Sequence, residues 1–365
     1  MAKHQLHTPE GVRDIHGAEY SRKQWVGETI AKEFARHGYE AIEPPLFEYA
    51  EVFSPDIGTV AARELCRLPG GAGSPLVLRP DFAPSVARLA AKHYGKKKEP
   101  LRFCYQGHTY TAGPQGQPRE TAQMGVELIG DSSIIADGEV VTLAVEALLA
   151  VGLKDFHISI GQVDYFKGLC AEAGMLEETE RALRGFMLRK DIIGAEALLA
   201  EAGTPKRYQN RLLQLSDLSG TTGALKLAEQ QADNERSSVA VWHLHSLYEA
   251  LCEYRAEQFV TFDFGLLNEY DYCTGVIFRG GSETDHVFVR GGRRDNLLEK
   301  FGKAAPAVGF CMDIGGLLAA LERQKVKIPK HELTKIVYHE GDLRDAIAEA
   351  RVLRKEGYNV TLLRK

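Results

Sequence analysis

Six cysteines, Cys66, Cys104, Cys170, Cys252, Cys273 and Cys311, are scattered along the chain with no CxxC pair and no clustered histidines. That spacing argues against a zinc site or a disulfide framework and predicts small core residues instead. The chain has no GxxxxGKS/T phosphate loop, no HExxH pair and no GxSxG elbow. Gly70, Gly71 and Gly73 read as a flexible loop. Arg290, Arg293 and Arg294 form a basic spot that reads as solvated or interface surface rather than a phosphate site, and Lys96, Lys97 and Lys98 read as a solvated charge run. Arg119 reads as an exposed loop arginine. Asp81 stands just before an apolar helical run, where a carboxylate caps a helix. Neither a metal nor a cofactor is expected.

The elements that must position such groups follow from periodicity. Val26, Ile30 and Phe34 repeat at helical spacing and Gly38 follows as a stop signal. YEAIEPPLFEYAEVF reads as an extended edge or interface strand, because Pro44 and Pro45 cannot sit inside a helix. The strand LVLRP leads into a helix from Asp81. PLRFCYQGHTYTAGPQGQPRETAQMGVELIG then reads as a long antiparallel hairpin. DSSIIADGEVVTLAVEALLAVGL reads as an amphipathic helix and FHISIG as a short buried strand. A helical stretch, about 165–256, looks inserted between that strand and the later ones, VTFDFGLL, YCTGVIFRG and HVFVRGG. The end is a small β-α-β unit whose helix should bury Leu343, Ile347, Ala350 and Leu353. The predicted class is α+β, an antiparallel sheet flanked by helices. Residues 1–325 form the core with the helical insertion, and 326–365 form a short C-terminal segment.

Bulk composition sets outer limits. The chain has 365 residues, 44% of them apolar and 26% charged, as in ordinary globular proteins of about two domains. With 45 basic and 50 acidic side chains the net charge is −5, which removes general polyanion affinity as an argument. No apolar run approaches the ~18 residues of a membrane span, and MAKHQLHTPEGVRD has no secretory-type apolar stretch. A cytoplasmic location is the expectation.

Four blocks, in order, resemble the histidyl-tRNA synthetase family of class II aminoacyl-tRNA synthetases, which includes a paralogue, the regulatory subunit of ATP phosphoribosyltransferase. They are TPEGVRD, then LRPDFAPSVARLAA, then FCYQGHTY with GQPRETAQMGVELIG, and finally EYDYCTGVIF with RGGRRDNLLEKFG and AVGFCMDIGGLL. The resemblance covers roughly residues 8–160 and 260–320. It implies a class II synthetase-like fold. It also implies an amino-acid pocket in which Asp81, Gln123 and Glu127, with Tyr272 and Cys273, are the candidate histidine-binding residues. Gln123 and Glu127, four apart on a strand, share a face, and Asp81 with Glu127 would line the pocket with negative charge.

Against the family pattern, three arginine positions are empty. Thr111 follows the aromatic residue of motif 2, Asn268 precedes the DYCTG segment, and Gly316 stands in motif 3. At about 1.5–3 kcal/mol per charged hydrogen bond the loss is roughly 5–9 kcal/mol, or about three to six decades in rate. The resemblance therefore implies a non-catalytic regulatory subunit, with a short-form ATP phosphoribosyltransferase catalytic subunit as partner and histidine as effector. A homodimer within a hetero-oligomer is expected, and tRNA binding is not. Two alternatives stay open: an active histidyl-tRNA synthetase, or a synthetase-like regulator of another partner.

Overall fold

The computed structural model describes residues 6–54, 57, 60–68, 73–113, 115–267, 271–282, 287–329 and 333–365. By internal contacts the chain divides into two units. One joins Met1–Arg13 to Gly27–Val326, and the other joins Asp14–Val26 to Lys327–Lys365.

Helix α1 (Gly17–Arg36) carries the fully buried Val26, Ile30 and Phe34. It gives way at Gly38, whose φ of 78° suits glycine. The segment that follows is less regular than its sequence suggests. Strands β1 (Glu40–Ala41) and β2 (Phe47–Tyr49) are short, and a single 3-10 turn (Ala50–Phe53) replaces the expected strand end. Pro44 and Pro45 have no N–H to give a ladder. Their carbonyls instead accept from Arg79 Nη1 at 2.7 and 3.0 Å. Strand β2 joins β3 (Arg67–Leu68) and β4 (Leu76–Leu78) in a small sheet. PGGAGSP lies largely outside the described residues.

Helix α2 (Phe82–Tyr94) then leads to the long hairpin β5 (Leu101–Ala112) and β6 (Pro118–Ile129), paired in register throughout. Helix α3 (Ile134–Ala150) differs from expectation: it is buried on nearly every side rather than along one stripe. It packs against the sheet on one side and a later helix on the other, so it has little solvent face to make polar.

Strand β7 (His157–Gln162) is followed by six helices: α4 (Val163–Glu172), α5 (Glu177–Leu188), α6 (Ile192–Glu201), α7 (Lys206–Leu213), α8 (Thr222–Gln231) and α9 (Glu235–Glu253), with β8 (Ser219–Gly220) before α8. The chain returns to the sheet as β9 (Val260–Asp263), β10 (Val276–Gly281), β11 (Val287–Arg293) and β12 (Ala307–Asp313), then forms α10 (Ile314–Arg323). Among the described residues this gives nine strands in the order β1-β5-β6-β12-β11-β10-β7-β9-β8. The middle six are antiparallel, while β1 on β5 and β9 on β7 are parallel. The fold is α+β, as predicted.

The C-terminal segment has β13 (Leu333–Tyr338), α11 (Leu343–Lys355) and β14 (Asn359–Arg364), with the two strands parallel. Its helix buries Ala346 and Ala350 against Ile336 and Val360, with Leu353 alongside. Leu343 is exposed, because two strands cover only the middle of the helix.

Candidate functional site

Directly opposed residues in a sheet project to the same face. Register therefore sets a row across the central strands: Tyr105, Gly125, Cys311, Arg290 and Arg279. The neighbouring row is Phe103, Glu127, Gly309, Gly292 and Ile277. Glycine at 309 makes room for the carboxylate, since a Cβ there would sit 2.5 Å from Glu127 Oε2. Over these rows lies a cavity of about 260 Å³. Asp81 and Tyr105 line it, with Gln123 from β6, Tyr272 and Cys273 from a turn, Arg279 and Arg290 from β10 and β11, and Arg294 and Cys311.

Asp81 caps α2, its Oδ1 accepting from Ala83 N at 3.2 Å, a contact worth about 1 kcal/mol. Its Oδ2 also accepts from the Tyr272 hydroxyl at 3.0 Å. The cap and the cavity role thus coexist, and a half-exposed carboxylate with four lone-pair positions has capacity left for a ligand donor. The wall behind it is rigid. Phe82 stacks on Tyr105 at 4.1 Å, and the buried Arg79 guanidinium lies 3.8 Å above Phe82.

Glu127 behaves differently from expectation. It does not line the cavity: it is 3% exposed, and Arg294 Nη1 donates to both of its oxygens at 2.7 and 2.6 Å. The expected pair of open carboxylates is therefore one carboxylate, Asp81. Burial pushes the Glu127 carboxyl up to about 7, while the Arg294 guanidinium pulls it down. Burial works against the Arg294 charge too, but Glu127 more than restores it. Arg294 Nη2 reaches the Gly309 carbonyl at 3.3 Å, and its Nε has no partner.

The basic spot at 290–294 is likewise corrected. Arg293 and Arg294 are 3% and 6% exposed rather than solvated, and only Arg290 is open. Strand alternation supplies the reason, turning Arg290 and Arg294 toward one face of β11 and Arg293 toward the other. On that other face Arg293 Nε donates to the fully buried Asp137 of α3 at 2.9 Å.

Of the residues predicted from the sequence, Asp81, Gln123, Tyr272 and Cys273 converge on the cavity. Tyr272 and Cys273 do so from a turn ahead of β10, not from the strand itself, because the ladder begins only at Val276. Thr111 sits near the end of β5, and Gly316 in the first turn of α10; neither lines the cavity. Asn268 lies outside the described residues. Arg279, Arg290, Arg294, Tyr105 and Cys311 were not read as site residues, though FVRGGRR carried a usable signal in its period of two. Burial pushes the Cys311 thiol up to about 12, so it stays protonated near neutral pH.

Away from the cavity, Glu33, His37 and Glu146 bring donor atoms within 4.8 Å of one another. His37 Nε2 is already paired with Glu146 Oε2 at 2.6 Å. No helix among the described residues is long and apolar enough to cross a membrane.

Comparison with known proteins agrees with this architecture. A protein named ATP phosphoribosyltransferase regulatory subunit from Acetivibrio thermocellus is 36% identical over 364 residues, covering 99% of this chain and 87% of that one. The crystal structure of an ATP phosphoribosyltransferase regulatory subunit/histidyl-tRNA synthetase from Bacillus halodurans superposes with a TM-score of 0.89 at 34% identity, covering 99% of this chain and 93% of that one. Histidyl-tRNA synthetase from Nostoc superposes at 0.82 with 17% identity, covering 98% and 85%, a likeness of fold alone. The family model described as histidyl-tRNA synthetase matches residues 11–317. With that match spanning the whole sheet and its cavity, the chain belongs to the histidyl-tRNA synthetase family.

Proposed function

We propose that this chain is the non-catalytic regulatory subunit of a short-form ATP phosphoribosyltransferase and that its cavity senses histidine. The partner would carry out the first step of histidine biosynthesis, in which ATP and phosphoribosyl pyrophosphate give phosphoribosyl-ATP and pyrophosphate. The observation that carries the reading is the chemistry of the cavity. It keeps one accessible carboxylate, Asp81, for an ammonium, while the buried guanidinium at its wall, Arg294, is committed to Glu127. At about 260 Å³ the cavity falls below the roughly 300–1,000 Å³ usual for drug-sized ligands and suits a single amino acid. The regulatory-subunit name of the relatives supports the same reading.

Control follows from linkage. Histidine that prefers one state of the assembly biases the partner's activity, and the partner biases histidine affinity equally. The subunit would act as a homodimer within a hetero-oligomer in the cytoplasm.

The test mixes this chain with the short transferase and follows phosphoribosyl-ATP while histidine is titrated. Activity that depends on this chain and falls with histidine is expected. A transferase indifferent to the chain sinks the proposal in favour of another partner. Robust histidine-dependent ATP–pyrophosphate exchange by the chain alone would restore the synthetase alternative.

A further inference from the structure

Asp271 and Tyr272 are consecutive residues tied to different elements. The Asp271 carboxylate accepts from Arg184 Nη2 of α5, 87 residues earlier in the chain, while the Tyr272 hydroxyl donates to Asp81 Oδ2 at 3.0 Å. Arg184 is 8% exposed, so its guanidinium gives up water for this contact, whereas Asp271 stays half-exposed. Desolvating a guanidinium is costly, and a well-packed apolar side chain often holds a buried position as well or better. What the ion pair adds is a fixed place for the turn. The helical insertion also backs the stretch just before that turn. Phe264 N donates to the Leu218 carbonyl at 3.1 Å, Tyr165 packs edge-on to Phe264 at 4.6 Å, and a Cβ on Gly265 would sit 2.6 Å from Ser216 Cα. Leu266, Leu267, Tyr272 and Cys273 line the cavity, and Arg184 and Asp271 do not. One wall of the cavity thus rests on the insertion. Ala83 N settles Asp81 Oδ1 and Tyr272 settles Oδ2, so the turn helps to orient the carboxylate that faces the cavity.

We propose that Arg184 is a positioning residue for this cavity: by holding Asp271 it keeps the Tyr272 hydroxyl on Asp81, so that the helical insertion controls how well the cavity takes an amino acid. The inference rests on the amino-acid reading above and adds the element that regulates it. Displacing α5 releases the turn, and a ligand ammonium then meets an Asp81 that is no longer pre-oriented. Coupling is reciprocal, so a filled cavity also steadies α5.

Three cysteines of the chain serve as reporters. Iodoacetamide labelling of the full chain, read by peptide mass spectrometry, follows Cys273 in the turn, the buried Cys170 in α4 of the insertion and Cys311 in β12. Arg184→Gln and Asp271→Asn should each quicken Cys273 several-fold and leave Cys170 and Cys311 unchanged. Arg184→Lys should restore part of the wild-type rate. By calorimetry Arg184→Gln and Asp271→Asn should bind histidine about two- to thirtyfold more weakly than the wild type, although neither position lines the cavity. An unchanged Cys273 rate in both variants overturns the tether. Cys170 quickening alongside Cys273 in both overturns it too, because Arg184 then only keeps the insertion folded. A faster Cys273 with unaltered histidine affinity overturns the link from turn to ligand. Absence of histidine binding in the wild type sinks the amino-acid reading itself, and the Cys273 rates tell that failure apart from a failed tether.

Discussion

Arg293 and Arg294 are neighbours in sequence, each buried against a carboxylate far away in the chain, yet they serve opposite faces of the sheet. On the Arg293 face every guanidinium nitrogen is used. Nε and Nη2 hold Asp137 at 2.9 and 2.7 Å, Nη2 also meets the Ser133 carbonyl, and Nη1 meets the Asp131 carbonyl and Asp295. Asp137 in turn pairs with His243 of α9 at 2.9 Å, so one network ties β11, α3 and α9 together. On the Arg294 face, Nε is unpartnered and a cavity lies alongside. A closed network fixes architecture, whereas the incomplete one leaves a buried donor open beside the cavity. The same residue type at adjacent positions can do either, depending on whether its surroundings complete its hydrogen bonds.

The largest effect should come from opening the closed network. Arg293→Leu or Asp137→Ala removes one partner of a buried ion pair, leaving the other only its secondary contacts, and should cost about 3–5 kcal/mol in chemical denaturation. A loss below about 1 kcal/mol would erase the distinction between the faces.

On the other face, stability should depend on pH through Glu127. Its folded pKa, about 7, lies above the ordinary carboxyl value, so the folded state binds the proton more tightly. The resulting stability is full below the unfolded pKa, about 4.3, and is lost as pH rises through about 7. Glu127→Gln should flatten that part of the profile. An unchanged profile in the variant would mean that Arg294 keeps Glu127 ionised throughout.

A smaller effect would sharpen the contrast. Removing the facing like charge with Arg290→Gln should stabilise the ligand-free protein by about 0.2–1 kcal/mol, read as a raised Tm. Destabilisation would mean that Arg279 and Arg290 already share a counter-charge. Smallest of all is a difference in labelling rate. Iodoacetamide should reach the exposed Cys252 well before Cys311, whose thiol stays protonated beside the cavity, with peptide mass spectrometry as the readout.

The hairpin of β5 and β6, the Asp81-capped helix and the C-terminal β-α-β unit were legible because each depends on near-neighbour signals: alternation, a capping residue, a turn between strands. The order of the family blocks was legible for the same reason. Helix α3 was misread as amphipathic because the apolar count of a segment does not say how many sides will be covered. The C-terminal helix kept its periodicity, but its buried face shifted to Ala346 and Ala350 once the width of the partner sheet was known.

The sequence by itself determined the α+β class, the family and the cluster of Asp81, Gln123, Tyr272 and Cys273 that meets at the cavity. Only the tertiary structure decided which charges are open and which are cancelled. Glu127 finds Arg294 across 167 residues and Asp137 finds Arg293 across 156, and both pairings come from strand register and helix packing. A charge's chemistry depends on its counter-charge and its water, and both are set by contacts that no local pattern of residues encodes.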